Sequence, residues 1–200
     1  MLVFTKKNLV FLSQPKTGTT AFTDGLGAHA SWVINDPPGL KHTSLFRYQR
    51  FFLPLLQKTL GIEPETLGVI RHPEEWLGSW YRYRSRPALD GHPNSTKGLT
   101  FDQFVSAYLQ GKQPKYAQVG DQAKFLSPLK DHAPITYVFQ YEQQDMLHQF
   151  LSARLGLDIA LPQRNVSPKA ELELSNNIRK KLERKCADQY ELWSASYKDN

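Results

Sequence analysis

The chain has 200 residues, 40% hydrophobic and 22% charged, which suits one folded domain with a buried core and excludes wholesale disorder. Its single cysteine, Cys186, excludes an internal disulfide framework and any site built from several thiolates. The 25 Lys and Arg against 19 Asp and Glu leave a net charge of +6, which points to an anionic partner: a nucleotide, a nucleic acid or an acidic substrate.

No run approaches the roughly 18 apolar residues of a membrane span. Lys6 and Lys7 interrupt the first apolar stretch, and no small-residue cleavage pattern follows, so the expectation is a cytoplasmic protein without a signal peptide. Leu9 to Leu12 is an unbroken apolar run too short for a helix, and it suits a strand buried on both faces of a parallel sheet. The turn Gln14-Pro15-Lys16-Thr17-Gly18-Thr19-Thr20 comes next, then a helix to about His29. Ser31 to Ile34 reads as a second strand. Apolar positions 45, 48, 52, 55, 56 and 60 have helical spacing, with Thr43 or Ser44 as the cap, Gly61 as the stop and Pro54 as a kink or split.

Leu67 to Ile70 is another strand, ending in Arg71-His72-Pro73. A helix then runs from Glu74 to about Arg84, with Pro73 at its first position and Glu74 and Glu75 at the positive end of its dipole. Residues 85–99 are rich in Pro, Gly, Asn and Ser and read as a loop, and Phe101 to Leu109 as a helix. Ile135 to Phe139 is a strand, and Gln143 to Leu155 a helix stopped by Gly156. Leu174, Ile178, Leu182, Cys186 and Tyr190 step by four and predict one long C-terminal helix. Strands alternating with helices imply an α/β fold around a central, mainly parallel sheet.

Two segments carry chemistry. A loop between a strand and a helix N-terminus presents backbone N–H groups to a phosphate-like anion. In the 14–20 turn Gly18 allows close approach, Lys16 adds a mobile charge, and Thr19 and Thr20 add hydroxyls. A nucleoside-triphosphate loop would read G-x-x-x-x-G-K-[ST]. Here the first glycine is missing and the lysine precedes the remaining one. The second segment is Arg71 at a strand end with Ser79 eight residues on, inside the next helix. Ligands of open α/β sheets bind beyond the carboxyl ends of the strands, so Lys16 and Arg71 can face one crevice, where Arg71 offers a planar fork to a second phosphate.

Pro15-Lys16-Thr17-Gly18-Thr19-Thr20 resembles the 5′-phosphosulfate loop of sulfotransferases that use 3′-phosphoadenosine 5′-phosphosulfate (PAPS). Arg71-His72-Pro73 followed by Gly78-Ser79-Trp80-Tyr81 resembles their 3′-phosphate motif, with the same Arg-to-Ser spacing. Val138-Phe139-Gln140-Tyr141-Glu142 is similar to a late strand that usually reads RYEDL, with Gln140 in place of the arginine. Asn165-Val166-Ser167 is similar to a segment that comes after it. The look is nearest to bacterial members and the carbohydrate-modifying branch. A C-terminal RKGxxGDWK element, found in the cytosolic branch, is absent, which leaves the rest of the 3′-phosphate shell open.

The resemblance implies a P-loop, nucleotide-kinase-like three-layer fold in one domain spanning 1–200. It implies transfer of a sulfuryl group to a hydroxyl or amine of a small molecule or carbohydrate. Pro15, Lys16, Thr17, Gly18, Thr19 and Thr20 would cradle the 5′ end, Lys16 would stabilise the leaving phosphate, and Arg71 and Ser79 would hold the 3′-phosphate. No metal is expected, because Lys16 and the helix N-terminus supply positive potential. The segment 85–120 is the candidate acceptor-binding region, with Gln122 and Lys124 as further candidates.

An acceptor hydroxyl needs a base, and Lys41-His42 is the candidate pair, since the helix beginning near Ser44 and Lys16 both disfavour a protonated His42. A purely structural His42 is the open alternative. Tyr81, Arg82, Tyr83, Arg84 and Arg86 read as a solvated basic helix end, or as a grip for an anion or an adenine ring. Two other readings remain open: a kinase-like phosphotransferase, and a non-enzymatic anion- or nucleic-acid-binding domain motivated by the +6 charge.

Overall fold

A computed structural model describes residues 1–159 and 172–197. The segment Asn165-Val166-Ser167 lies outside them. The chain opens with β1 (Leu2–Phe4), a 3-10 turn and β2 (Leu9–Phe11). The triplet Leu-Val-Phe occurs twice, and Asn8 at φ 50° closes the turn between the copies, so β1 and β2 pair antiparallel as a hairpin. Then come α1 (Thr19–Leu26), β3 (Trp32–Val33), α2 (Pro38–Lys41), α3 (Leu45–Arg47) and α4 (Leu53–Leu60). β4 (Glu65–Ile70), α5 (Pro73–Arg84), α6 (Phe101–Tyr108) and α7 (Gln122–Leu126) form the middle. β5 (Tyr137–Gln140), α8 (Gln144–Leu155), α9 (Asn176–Lys185) and α10 (Ala187–Ala195) complete the order.

The sheet order is β3-β1-β2-β4-β5. β2, β4 and β5 are parallel, whereas β1 pairs antiparallel with both β2 and β3. The fold is therefore α/β, as expected, but the sheet is mixed: the reversed β1 gives one half antiparallel pairings. Alternate residues point to opposite faces. Leu9, Phe11, Leu67 and Val69 pack with Phe22 and Leu26 of α1 and Leu147 and Leu151 of α8. Val10 and Leu12 face the other way, onto Leu45, Tyr48, Leu53 and Leu56. Burying one such Leu or Phe is worth about 1.5–3 kcal/mol, so two apolar faces on one short strand hold helices on both sides of the sheet.

One helix splits as expected, and one differs from expectation. The 45–60 helix breaks at Tyr48–Phe52, a π-helical turn, and Pro54 sits in the first turn of α4. Pro54 has no N–H and its ring crowds the carbonyl four residues back, so the preceding turn widens. The C-terminal helix is two helices, α9 and α10, hinged at Cys186 (φ −119°, ψ 30°). A stripe stepping by four drifts about 40° per step against 3.6 residues per turn, so one straight helix would carry Tyr190 away from the core that holds Leu182. No helix among the described residues is long and apolar enough to cross a membrane.

Gly68 decides how closely α7 approaches the sheet. A Cβ there would lie 2.6 Å from Leu126 Cδ2 and 2.8 Å from Ile135 Cδ1. Without it, α7 seats against β4 and carries Gln122 to the strand ends.

Candidate functional site

β2 and β4 are neighbours and parallel, so the chain leaves both at the same edge of the sheet. Beyond β2 lies the 14–20 turn. Its buried part is folded by its own polar groups: Thr17 is fully buried and donates from Oγ1 to the Gln14 carbonyl at 2.9 Å. Lys16 (φ 68°) and Gly18 (φ 73°) both adopt left-handed conformations, which turns successive N–H groups inward. No side chain caps α1; the Ala21 N–H donates to the Gly18 carbonyl at 3.0 Å, and the N–H groups of Thr19 and Thr20 remain for a ligand. Thr19 is buried, whereas Gly18 and Thr20 are exposed. The Thr17 hydroxyl, expected to help cradle an anion, is thus committed to the loop, leaving its backbone for that task.

Beyond β4 lies Arg71. Gln122, fully buried, joins the two exits. Its Nε2 donates to the Arg71 carbonyl at 2.8 Å, and its Oε1 accepts from the Arg71 N–H at 3.0 Å and from Gln14 Nε2 at 2.8 Å. Two further ties cross the gap. Trp76 of α5 donates from Nε1 to the Pro15 carbonyl at 3.0 Å. The ring of Tyr141 lies 3.1 Å from the position a Gly18 Cβ would take, and it also carries the Arg71 guanidinium 4.5 Å from its centroid. Glu142 accepts from the His72 N–H at 2.8 Å and from Trp193 Nε1 at 3.0 Å, tying the same edge to α10.

Lys16 rests on aromatic rings of α5, its ammonium 3.2 Å from the Tyr83 centroid and 4.7 Å from that of Trp80. Burial first, then the charges of Arg86 and Arg84, bring its pKa down to about 7. The helix end is not the solvated basic surface that was one expectation. Arg84 is buried and donates to the Lys115 and Gln118 carbonyls at 2.8 and 2.9 Å. The Arg82 side chain is 18% exposed, and only Tyr83 and Arg86 of this group are open to solvent. Ser79 is half-buried on α5.

His42, at the end of α2, lines a cavity of about 260 Å³ with Gln14, Pro15, Trp76, Asp121 and Lys124. Its Nδ1 lies 2.7 Å from the Ser13 carbonyl. A carbonyl only accepts, so Nδ1 carries the proton, and the neutral ring keeps the Nε2 lone pair. Burial lowers the His42 pKa; the Ser13 carbonyl opposes this, and Lys41, the N-terminal ammonium and Lys16 add to it. Lys41 is half-buried beside it. The candidate base, Gln14 and Pro15 at the start of the turn, and Gln122 therefore share one cavity, whereas Lys16 and Arg71 are not in its lining. Of the 85–120 segment, Val119 and Gly120 reach it, whereas α6 packs into the core beside α5 through Phe104 and Val105. Cys186 is buried, its thiol pushed up to about 11 by that burial, so it is a packing residue.

Three residues that join the two segments were not legible as such: Gln122, Trp76 and Tyr141. The one available signal was composition: a glutamine in a short apolar helix, and a tyrosine directly after a strand. Comparison of the chain with family models, with curated proteins and with solved structures finds no match to any of them.

Proposed function

We propose that this protein is a PAPS-dependent sulfotransferase with a P-loop, nucleotide-kinase-like fold, acting in the cytoplasm on a hydroxyl or amine of a small molecule or carbohydrate. One observation carries the reading: two candidate anion-binding segments lie about fifty positions apart in the chain, yet leave the same sheet edge and are joined by Gln122, Trp76 and Tyr141. A bisphosphorylated adenosine has two separated anionic groups to match them. The donor set suits such a compound, with an uncapped helix end and Lys16 on one side and the Arg71 fork on the other.

In this reading His42 Nε2 removes the proton from the acceptor hydroxyl. The oxygen forms a bond to sulfur as the bond from sulfur to the 5′-phosphate breaks, and 3′-phosphoadenosine 5′-phosphate leaves. Lys16 and the α1 N-terminus stabilise charge on that leaving phosphate, while positioning supplies most of the remainder. The cavity beside His42, just below the usual size range of about 300–1,000 Å³ for ligand sites, takes a small acceptor or one ring of a larger one.

Isothermal titration with 3′-phosphoadenosine 5′-phosphate tests the reading. Wild type binds, and Lys16→Ala and Arg71→Ala lose affinity; equal affinity in all three overturns it. His42→Ala keeps nucleotide affinity and loses turnover with labelled donor, whereas retained turnover removes His42 as the base.

A further inference from the structure

Arg71 and Arg82 share one carboxylate. Arg71 Nη2 lies 3.2 Å from Glu75 Oε2, and Arg82 Nη2 lies 3.9 Å from the same oxygen. Only the first is a hydrogen bond. The two side chains are 15% and 18% exposed, and the Nε of each is buried without a partner among the described residues. Two largely desolvated guanidiniums thus face a single negative charge, and among the described residues Glu75 is the one side-chain acceptor that either hydrogen-bonds. Burying charge this way is costly unless an anion completes it.

Helical geometry explains the meeting. Side chains lean toward the helix N-terminus, so Arg82 folds back over the turn below it. Gly78 lies in that turn, and a Cβ there would sit in ordinary contact with the Arg82 guanidinium nitrogens, at 3.5 and 3.7 Å. Glu75, Ser79 and Arg82 lie four and three residues apart, so they share one face of α5, opposite Arg71 at the β4 exit.

We propose that Arg82 is the second guanidinium of the phosphate site built on Arg71 and Ser79, and that Glu75 is its resident counter-anion, displaced when a phosphate monoester binds. The proposal rests on the nucleotide reading above and supplies a group for the 3′-phosphate shell that the missing C-terminal element leaves open. A phosphate dianion matches two forks where one carboxylate leaves them half-satisfied.

The test compares 3′-phosphoadenosine 5′-phosphate with adenosine 5′-monophosphate by titration, so that the affinity ratio isolates the 3′-phosphate. Arg82→Gln lowers that ratio about tenfold, and Arg82→Lys, which keeps charge without the fork, falls between. Glu75→Gln raises affinity for the bisphosphate several-fold, because the competing charge is gone. An unchanged ratio in Arg82→Gln, or weaker binding in Glu75→Gln, overturns the proposal and leaves the nucleotide reading standing. If wild type fails to distinguish the two nucleotides, that reading fails by itself. Thermal shift with inorganic phosphate, against sodium chloride at equal ionic strength, then decides the site. Stabilisation lost in Arg82→Gln supports it, and stabilisation independent of Arg82 overturns it.

Discussion

Replacing Gln122 with leucine keeps the size of the side chain and removes its polar end, which isolates what the amide does. Three hydrogen bonds go: those to the Arg71 carbonyl, from the Arg71 N–H and from Gln14 Nε2. Leucine offers nothing in exchange, so three polar groups at a buried junction lose their partners. Each orphaned group costs about 1–3 kcal/mol. Taking the lower part of that range, because Arg71 is only half-buried, the variant loses about 3–5 kcal/mol. For a chain of this length each kcal/mol moves Tm by about 2–4 °C, so melting falls by roughly 10 °C. Urea unfolding followed by circular dichroism reads the same quantity as a shift of midpoint at constant slope. Gln110→Leu, on an exposed glutamine, serves as the control and stays within about 0.5 kcal/mol of wild type. Because Gln122 sets the spacing of the two anion segments, nucleotide affinity also falls, by about tenfold or more. A Gln122→Leu protein that unfolds with the control, or that binds nucleotide as wild type does, would refute the account of Gln122 as the joint between the segments.

Three further outcomes follow from the same geometry. With a folded pKa of about 7, Lys16 is mostly neutral at pH 8.5, and a bound anion restores its charge. Titration with 3′-phosphoadenosine 5′-phosphate in buffers of different ionisation heat should show close to one proton taken up per site at pH 8.5, and none in Lys16→Met; uptake equal in both contradicts the assignment. The same depressed pKa makes the Lys16 contribution to stability rise with pH from about 7 to the unfolded lysine range, since the unfolded chain binds more protons there. Gly18→Ala forces an L side chain into φ 73° and against Tyr141 at 3.1 Å. The left-handed conformation costs about 1–2 kcal/mol, and displacement of Tyr141 disturbs the ring beneath Arg71. Nucleotide binding should fall sharply with a small change in Tm, and unimpaired binding would remove Tyr141 as the link.

Local pattern was enough for several elements. The apolar run at Leu9–Leu12, the Pro73 start of α5 and the Gly156 end of α8 appear where the residues placed them, because each depends on burial or capping within a few positions. The turn after β2 was legible for the same reason: a strand, a glycine and a helix start are all local. β1 was missed, though its Leu-Val-Phe repeats that of β2, because a three-residue strand has little signal until its partner is known. The single C-terminal helix was expected because a step of four looks helical over any one turn; its drift matters only when a core must be reached at both ends.

What the residue order settled alone was the chemistry on offer: a glycine turn with Lys16, a strand-end Arg71, and a histidine in front of a helix. What tertiary structure decided was their company. Parallel pairing of β2 and β4 brought the Lys16 turn and Arg71 to one edge. Gly68 let α7 deliver Gln122 between them, and the turn of α5 brought Arg82 to within 3.9 Å of Glu75. Such meetings depend on contacts between residues fifty or more positions apart, whose distances follow from packing and closure of the sheet and leave no periodic trace in the chain.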